Sequence, residues 1–217
     1  MCFSPEISFA SSIFLTGIGV LALKKATTKD ELPLAMMPLL FAAQQFIEGL
    51  LWLVLLYGGS RTQHVWLTHI YVVFAGMIWP IWPAFSLWNI ETETKRKHIM
   101  AAFILMGGCF ALYTLKSSIE FNITSSVSSH SVLYDSPLTV GNEVLIAYLI
   151  CTCMCFFVSS QRNIQWIGVA NLLSFAIAFH FYYKNLVSVW CLFAATISGL
   201  IYVYFRLTKT GKTTVHA

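Results

Sequence analysis

The sequence predicts an all-α, polytopic seven-transmembrane helix bundle, with its N-terminus outside and its C-terminus in the cytoplasm. Three observations carry that expectation. Of the 217 residues, 58% are hydrophobic and 10% charged, where soluble domains carry about 25% charge. The apolar residues fall into seven runs long enough to cross roughly 30 Å of hydrocarbon. Lysine and arginine gather in alternate connections between those runs. The net charge of +4 is spread over the run ends and forms no stripe, so nucleic acid is not an expected partner. Residues 1–6 contain no Lys or Arg, which argues against a cleavable secretory signal.

In chain order the runs are Ile7–Leu23, Pro33–Tyr57, Val65–Trp88, Ile99–Leu115, Leu138–Val158, Ile164–Tyr183 and Leu186–Leu207. Turn or charge punctuation separates them: residues 24–31, Gly58-Gly59-Ser60-Arg61, residues 91–98, the serine-rich 117–136, residues 159–163 and Lys184-Asn185. In the first run Ser4, Ser8, Ser12 and Thr16 recur every four residues, and in the last Ser188, Cys191, Ala195, Ser198 and Tyr202 recur every three or four. Such stripes let helices approach closely in lipid. Pro38, Pro80 and Pro83 predict kinks, which open cavities.

The lysines and arginines fix the orientation. Lys24, Lys25, Lys29, Lys95, Arg96, Lys97, Arg162, Arg206, Lys209 and Lys212 lie on one side, and Arg61, Lys116 and Lys184 on the other. The richer side is cytoplasmic. Tyr57, Trp66, Trp88, Tyr182, Tyr183 and Tyr204 fit interfacial belts. The expected organisation is a single transmembrane domain over 1–207, an outer lid loop at 117–136 and a short basic cytoplasmic tail at 208–217. Its partner is the lipid bilayer.

Glu48 is the most informative residue. At about 1.5 Å per residue it lies roughly 13 Å below the outer end of its helix, where a charge costs at least about 3 kcal/mol. It must be protonated, paired or facing water. Gln44 and Gln45, four and three residues earlier, extend one polar face. Cys2, Glu6, His69, Glu143, His180 and Cys191 also fall in the outer half. His130 and Tyr134 in the lid are spaced to share a face on a helical turn. His180, beside Tyr182 and Tyr183, reads as an interfacial side chain.

A divalent transition metal is a candidate cofactor, with Glu48, His130 and His69 as candidate ligands, although no H-E-x-x-H or C-x-x-C spacing is present. Cys109, Cys151, Cys153 and Cys155 read as small buried residues, with 151 and 155 on one face and 153 pointing away. Cys2 and Cys191 permit a disulfide, plain packing, thiol chemistry or ligation. There is no Walker A, G-x-G-x-x-G or G-x-S-x-G pattern. The last run has no mid-depth lysine for a retinal Schiff base.

Several strings carry a resemblance: Met1-Cys2-Phe3-Ser4, Glu31-Leu32-Pro33-Leu34-Ala35 leading into Gln45-x-x-Glu48, His130-x-x-x-Tyr134, and Ser188-x-Trp190-Cys191-x-Phe193-Ala194-Ala195. Together they resemble an uncharacterised bacterial seven-helix inner-membrane family with no established activity. The resemblance implies a multi-pass inner-membrane (plasma-membrane) setting and highlights Cys2, Gln45, Glu48, His130, Tyr134 and Cys191. It gives His69 and His180 less support.

The residues point to an outward-facing, lid-covered pocket of a membrane-embedded enzyme acting on a lipid-like or periplasmic small molecule. Glu48, His130 and Tyr134 are its candidate catalytic groups, and Gln44, Gln45, Cys2, Trp190 and Cys191 its candidate binding groups. Two alternatives stand beside it. One is a small-solute transporter of 3+1+3 helix architecture, in which Glu6 matches Glu143 and Val65-Trp66 matches Val189-Trp190. The other is a non-catalytic sensor or subunit of a membrane complex.

Overall fold

The computed structural model describes residues 4–121, 123–128, 131–135 and 142–213. Helix α1 (Pro5–Lys25) opens where Ser4 accepts a hydrogen bond from the Ile7 amide and Pro5 fills a position that needs no donor. A capping box between Thr28 and Glu31 starts the next helical stretch. This runs through α2 (Leu32–Ala35) into α3 (Met37–Tyr57), with Pro38 in the tolerated first turn. Gly58 closes α3 at φ 79°, a conformation that favours glycine.

Helix α4 (Arg61–Val73) begins at a second capping box, Ser60 with Gln63. It passes into a π segment (Phe74–Ile78), after which the chain bends by 43° into α5 (Trp82–Ile90). Pro80 and Pro83 flank the bend, and Pro80 has no amide to continue the ladder. Gly107 of α6 (Thr94–Glu120) makes room for it, since a Cβ there would strike the Pro80 carbonyl.

Beyond α6 comes an antiparallel hairpin, β1 (Thr124–Ser128) and β2 (Ser131–Asp135), with Ser125 opposite Tyr134. The chain continues through α7 (Asn142–Leu149), a second π segment (Ile150–Met154), α8 (Cys155–Val158), α9 (Arg162–Tyr182), α10 (Leu186–Ser198) and α11 (Leu200–Thr213).

The all-helical bundle expected from sequence is present. Among the described residues, five helical stretches are long and apolar enough to cross a membrane, or six when the bent pair counts as one span. The remaining run, Glu143–Val158, is a shorter apolar helix, about 24 Å long at 1.5 Å per residue. Its expected start at residues 138–141 lies outside the described residues.

The lid differs from the expected loop. Its first turn prolongs α6, and its serines, valines and tyrosine pair as strands, where β-branched and aromatic side chains fit. Tyr134 therefore sits in an extended strand and not on a helical turn; His130 lies outside the described residues. Two smaller expectations also change. Cys109 is exposed, not buried. Tyr204 is turned inward, donating its hydroxyl to Gln161 Oε1. Cys151, Cys153 and Cys155 are all buried, Cys153 against Ala178 and Trp190 and Cys155 in the main core, because helices cover this segment on more than one side.

Close packing holds α1 on α3. Gly19 faces Leu39, Gly49 faces Phe9, and Ser12 donates to the Ala42 carbonyl at 2.8 Å. The main core contains Leu15, Phe41, Trp79, Leu87, Phe156 and Phe205. A second cluster joins Leu51, Trp52 and Tyr71 to Val132 and Tyr134 of the hairpin. The outward surface is itself apolar, with Ile13, Leu105, Leu112 and Ile119 each more than 60% exposed, as a lipid-facing surface requires.

At the end of the bundle away from the hairpin, Glu91 ties two connections together. Its carboxylate accepts the Thr92 and Glu93 amides and both the amide and hydroxyl of Ser160. Burial pushes the Glu91 carboxyl up, but the hydrogen bonds from Ser160, Glu93 and Thr92 outweigh it and hold it below the usual carboxylate range. Arg96 pairs with Glu93 and donates to the Val158 carbonyl at 2.7 Å.

Candidate functional site: a buried carboxyl beneath a docked hairpin

The 3.6-residue period puts Gln44, Gln45 and Glu48 on the inward side of α3, and all three are fully buried. Ser188 Oγ of α10 donates to Glu48 Oε1 at 2.7 Å, and Gln45 Nε2 donates to Oε2 at 3.4 Å. The carboxyl thus joins two helices 140 positions apart in sequence. Gln44 points to a different neighbour, its Oε1 accepting from Trp79 Nε1 at 2.6 Å. The Cys191 thiol, one turn beyond Ser188, lies beside Tyr71 and Gln44.

Tyr71 connects this cluster to the hairpin. Its ring stacks on Tyr134 with centroids 4.3 Å apart and planes 5° from parallel. Three further side chains seat the strands. His64 Nε2 lies 2.7 Å from Ser125 Oγ and 3.0 Å from the Ser125 carbonyl, Thr68 Oγ1 lies 2.8 Å from the same hydroxyl, and Asn185 Nδ2 donates to the Ser128 carbonyl at 3.4 Å. The hairpin strands are consequently docked on α4 and the start of α10.

Of the residues singled out from sequence, Gln44, Gln45, Glu48, Tyr134 and Cys191 come together in this region. Trp190 stands beside Cys191, lining a cavity of about 40 Å³ that Phe41, Trp79, Thr152 and Asn171 also border. Cys2 and His130 lie outside the described residues. His69 does not join the cluster; its Nδ1 pairs with the Val65 carbonyl of its own helix at 2.8 Å, while Thr68 and Tyr71 form that helix's buried face. His180 is exposed and stands edge-on to Phe181. Among the described residues no three His, Cys, Asp or Glu side chains gather to hold a metal.

Several participants were not legible as such. Ser188 belongs to a stripe that reads as packing, and Tyr71, Trp79 and His64 carried no motif. Their only signal was apolar periodicity broken by a polar tip, which marks amphipathic aromatics in general.

A helical bundle with an apolar exterior, spanning-length helices and a buried polar cluster defines a multi-pass membrane protein. The chain belongs to the DUF6629 family, a family of unknown function, whose model matches residues 1–215. No curated protein and no solved structure matches it.

Proposed function

We propose that this is a seven-span inner-membrane protein of bacterial type, N-terminus outside, whose Glu48 site binds or transforms a lipid-like or periplasmic small molecule beneath the hairpin. The observation that carries the reading is a fully buried carboxyl, hydrogen-bonded by Ser188 and Gln45, under a strand that stacks Tyr134 on Tyr71. An acid kept in a membrane interior at several kcal/mol of cost is a functional candidate before a structural one. In this reading Glu48 is the proton donor or acceptor, Gln45 and Ser188 orient its carboxyl, and Tyr134 covers the site. His130 and Cys2 are its further candidate groups, and a divalent metal is a candidate ligand.

Mass spectrometry and metal analysis of protein purified in native-lipid particles test this. The wild type retains a small molecule or metal in near-stoichiometric amount, and Glu48→Gln and His130→Ala retain at least about tenfold less, the loss expected when about 1.4 kcal/mol of binding is removed. Equal retention in all three proteins sinks the site.

A second reading, small-solute transport, is favoured by the cavity that continues past Cys191 toward the other end of the bundle. The proposed internal echo supports it less, since Trp66 is 65% exposed and Trp190 only 4%. Solute flux through reconstituted vesicles, abolished in Glu48→Gln, would select it over the enzyme reading. Neither flux nor turnover would leave a non-catalytic sensor or subunit.

A further inference from the structure

The cavity beside Cys191 carries features that the Glu48 cluster does not use. One π segment borders it through Thr152, and Trp79, the residue that directly follows the other, lines it as well. π turns insert an extra residue at a cost in helix geometry, and they concentrate at functional sites. The walls are otherwise apolar, including Phe41, Phe156 and Ile167, and no lining side chain is charged.

Two polar groups in this wall lack protein partners among the described residues. Asn171 donates its Nδ2 to Cys153 Sγ at 3.3 Å, while its Oδ1 is buried and unpartnered. Turning the amide over exchanges the two atoms and still leaves one of them without a partner. The Trp190 indole N–H is likewise buried and unpartnered, on a ring 4% exposed. That ring is held edge-on by Tyr148, with centroids 5.4 Å apart, and by Phe175 at 4.9 Å. Each such orphan costs about 1–3 kcal/mol, which makes two along one cavity a feature needing an explanation. Thr152 and Ser198 donate to backbone carbonyls at 2.8 and 2.6 Å and keep lone pairs able to accept.

We propose that this cavity is a binding site for a small uncharged molecule bearing a hydroxyl or amide group, held between the Trp190 N–H and the Asn171 amide. The apolar, charge-free wall rejects ions, whose desolvation nothing there repays. The volume of about 40 Å³ is room for about three waters by the same measure, and therefore for the polar end of a small alcohol or amide rather than a whole lipid. The Glu48 carboxyl does not line it, although Trp79 and Cys191 border both the cavity and the Glu48 cluster.

Photolabelling of the full chain in lipid nanodiscs with 3-azibutanol, a diazirine-bearing alcohol, tests the proposal. Mass spectrometry should place the label on peptides containing Phe41, Trp190 or Ile197. 1-Butanol should compete for it, while 1-chloropropane, which lacks the hydroxyl, should not. Trp190→Phe keeps the ring and removes the donor, and Asn171→Leu removes the amide; each should lower labelling by about fivefold, the worth of one hydrogen bond. Ala194→Phe, on a partly buried wall position, should block labelling while leaving both polar groups in place, with gel filtration checking the fold of every variant. The proposal is overturned by label confined to the lipid-facing groove near Leu105 and Ile150. Equal competition by both compounds, or a cavity that takes up water alone and no label, overturns it too.

Discussion

Ser188 shows how much one hydroxyl can matter inside an apolar bundle. Its 2.7 Å hydrogen bond to Glu48 involves two groups withdrawn from water, so removing the donor exposes the asymmetry of buried polar pairs. Ser188→Ala should lower stability by about 1–3 kcal/mol, the penalty for depriving a buried acceptor of its donor. Adding Glu48→Leu to it should recover part of that loss, because the polar group is then gone as well. Thermal unfolding in a fixed detergent compares the single and double variants, and a double variant that melts no higher than Ser188→Ala refutes the account. The position was readable in sequence as a small residue on a packed stripe. Its partnership with Glu48 was not, because 140 residues separate them and no local pattern encodes a contact between helices.

Among the elements, the hairpin is where sequence and structure differ most. Apolar run length marked the five, or with the bent pair six, spanning-length helices of the described residues, because a continuous apolar stretch is a signal carried by many residues at once. The segment 117–136 is serine-rich and lacks a sustained period, and the spacing of His130 and Tyr134 did not disclose that Tyr134 lies in a strand. Strand pairing depends on cross-strand partners such as Ser125 with Tyr134, which local reading does not supply. The first bend was foreseeable from Pro80, whereas both π segments were not, since no residue type marks them. Docking of the hairpin rests mainly on the Tyr71–Tyr134 stack and on Ser125 against His64 and Thr68. Tyr134→Ala should therefore release it at a cost of about 3–5 kcal/mol, the range for emptying a large aromatic site. Tyr134→Phe keeps the stack and should stay near wild type. Proteolysis between residues 121 and 135 should accelerate sharply in the alanine variant alone; equal cleavage rates would show that the stack does not hold the lid.

For the whole molecule, the number of crossings is the property on which orientation and site placement depend. The short Glu143–Val158 helix is the deciding element. With it as a crossing, lysines and arginines divide ten to three. Without it every later connection changes side, and the division becomes seven (Lys24, Lys25, Lys29, Lys95, Arg96, Lys97, Lys184) to six (Arg61, Lys116, Arg162, Arg206, Lys209, Lys212), which would leave almost no topological signal. Glu91 supports the first count independently. Its bonds to Ser160 bring the connection after α5 and the connection after α8 to one end of the bundle, so the chain leaving through α6 must return through residues 142–158.

That clamp also has a pH signature. The folded Glu91 carboxyl titrates below its ordinary value, so the clamp contributes stability above the unfolded value of about 4.5 and loses it as pH falls through the lowered folded value. Wild-type melting temperature should fall on acidification below about pH 4.5, and Glu91→Gln should melt lower at neutral pH with a flatter acid limb. Parity supplies the direct test of the crossing number, because seven spans place the termini on opposite sides and six place them on the same side. A fluorescent protein fused after residue 217 should fold and emit in the cytoplasm, while a tag before Met1 should be cleaved by protease added to intact spheroplasts. Both ends on the same side of the membrane would remove the short helix from the count of crossings and divide the charges seven to six.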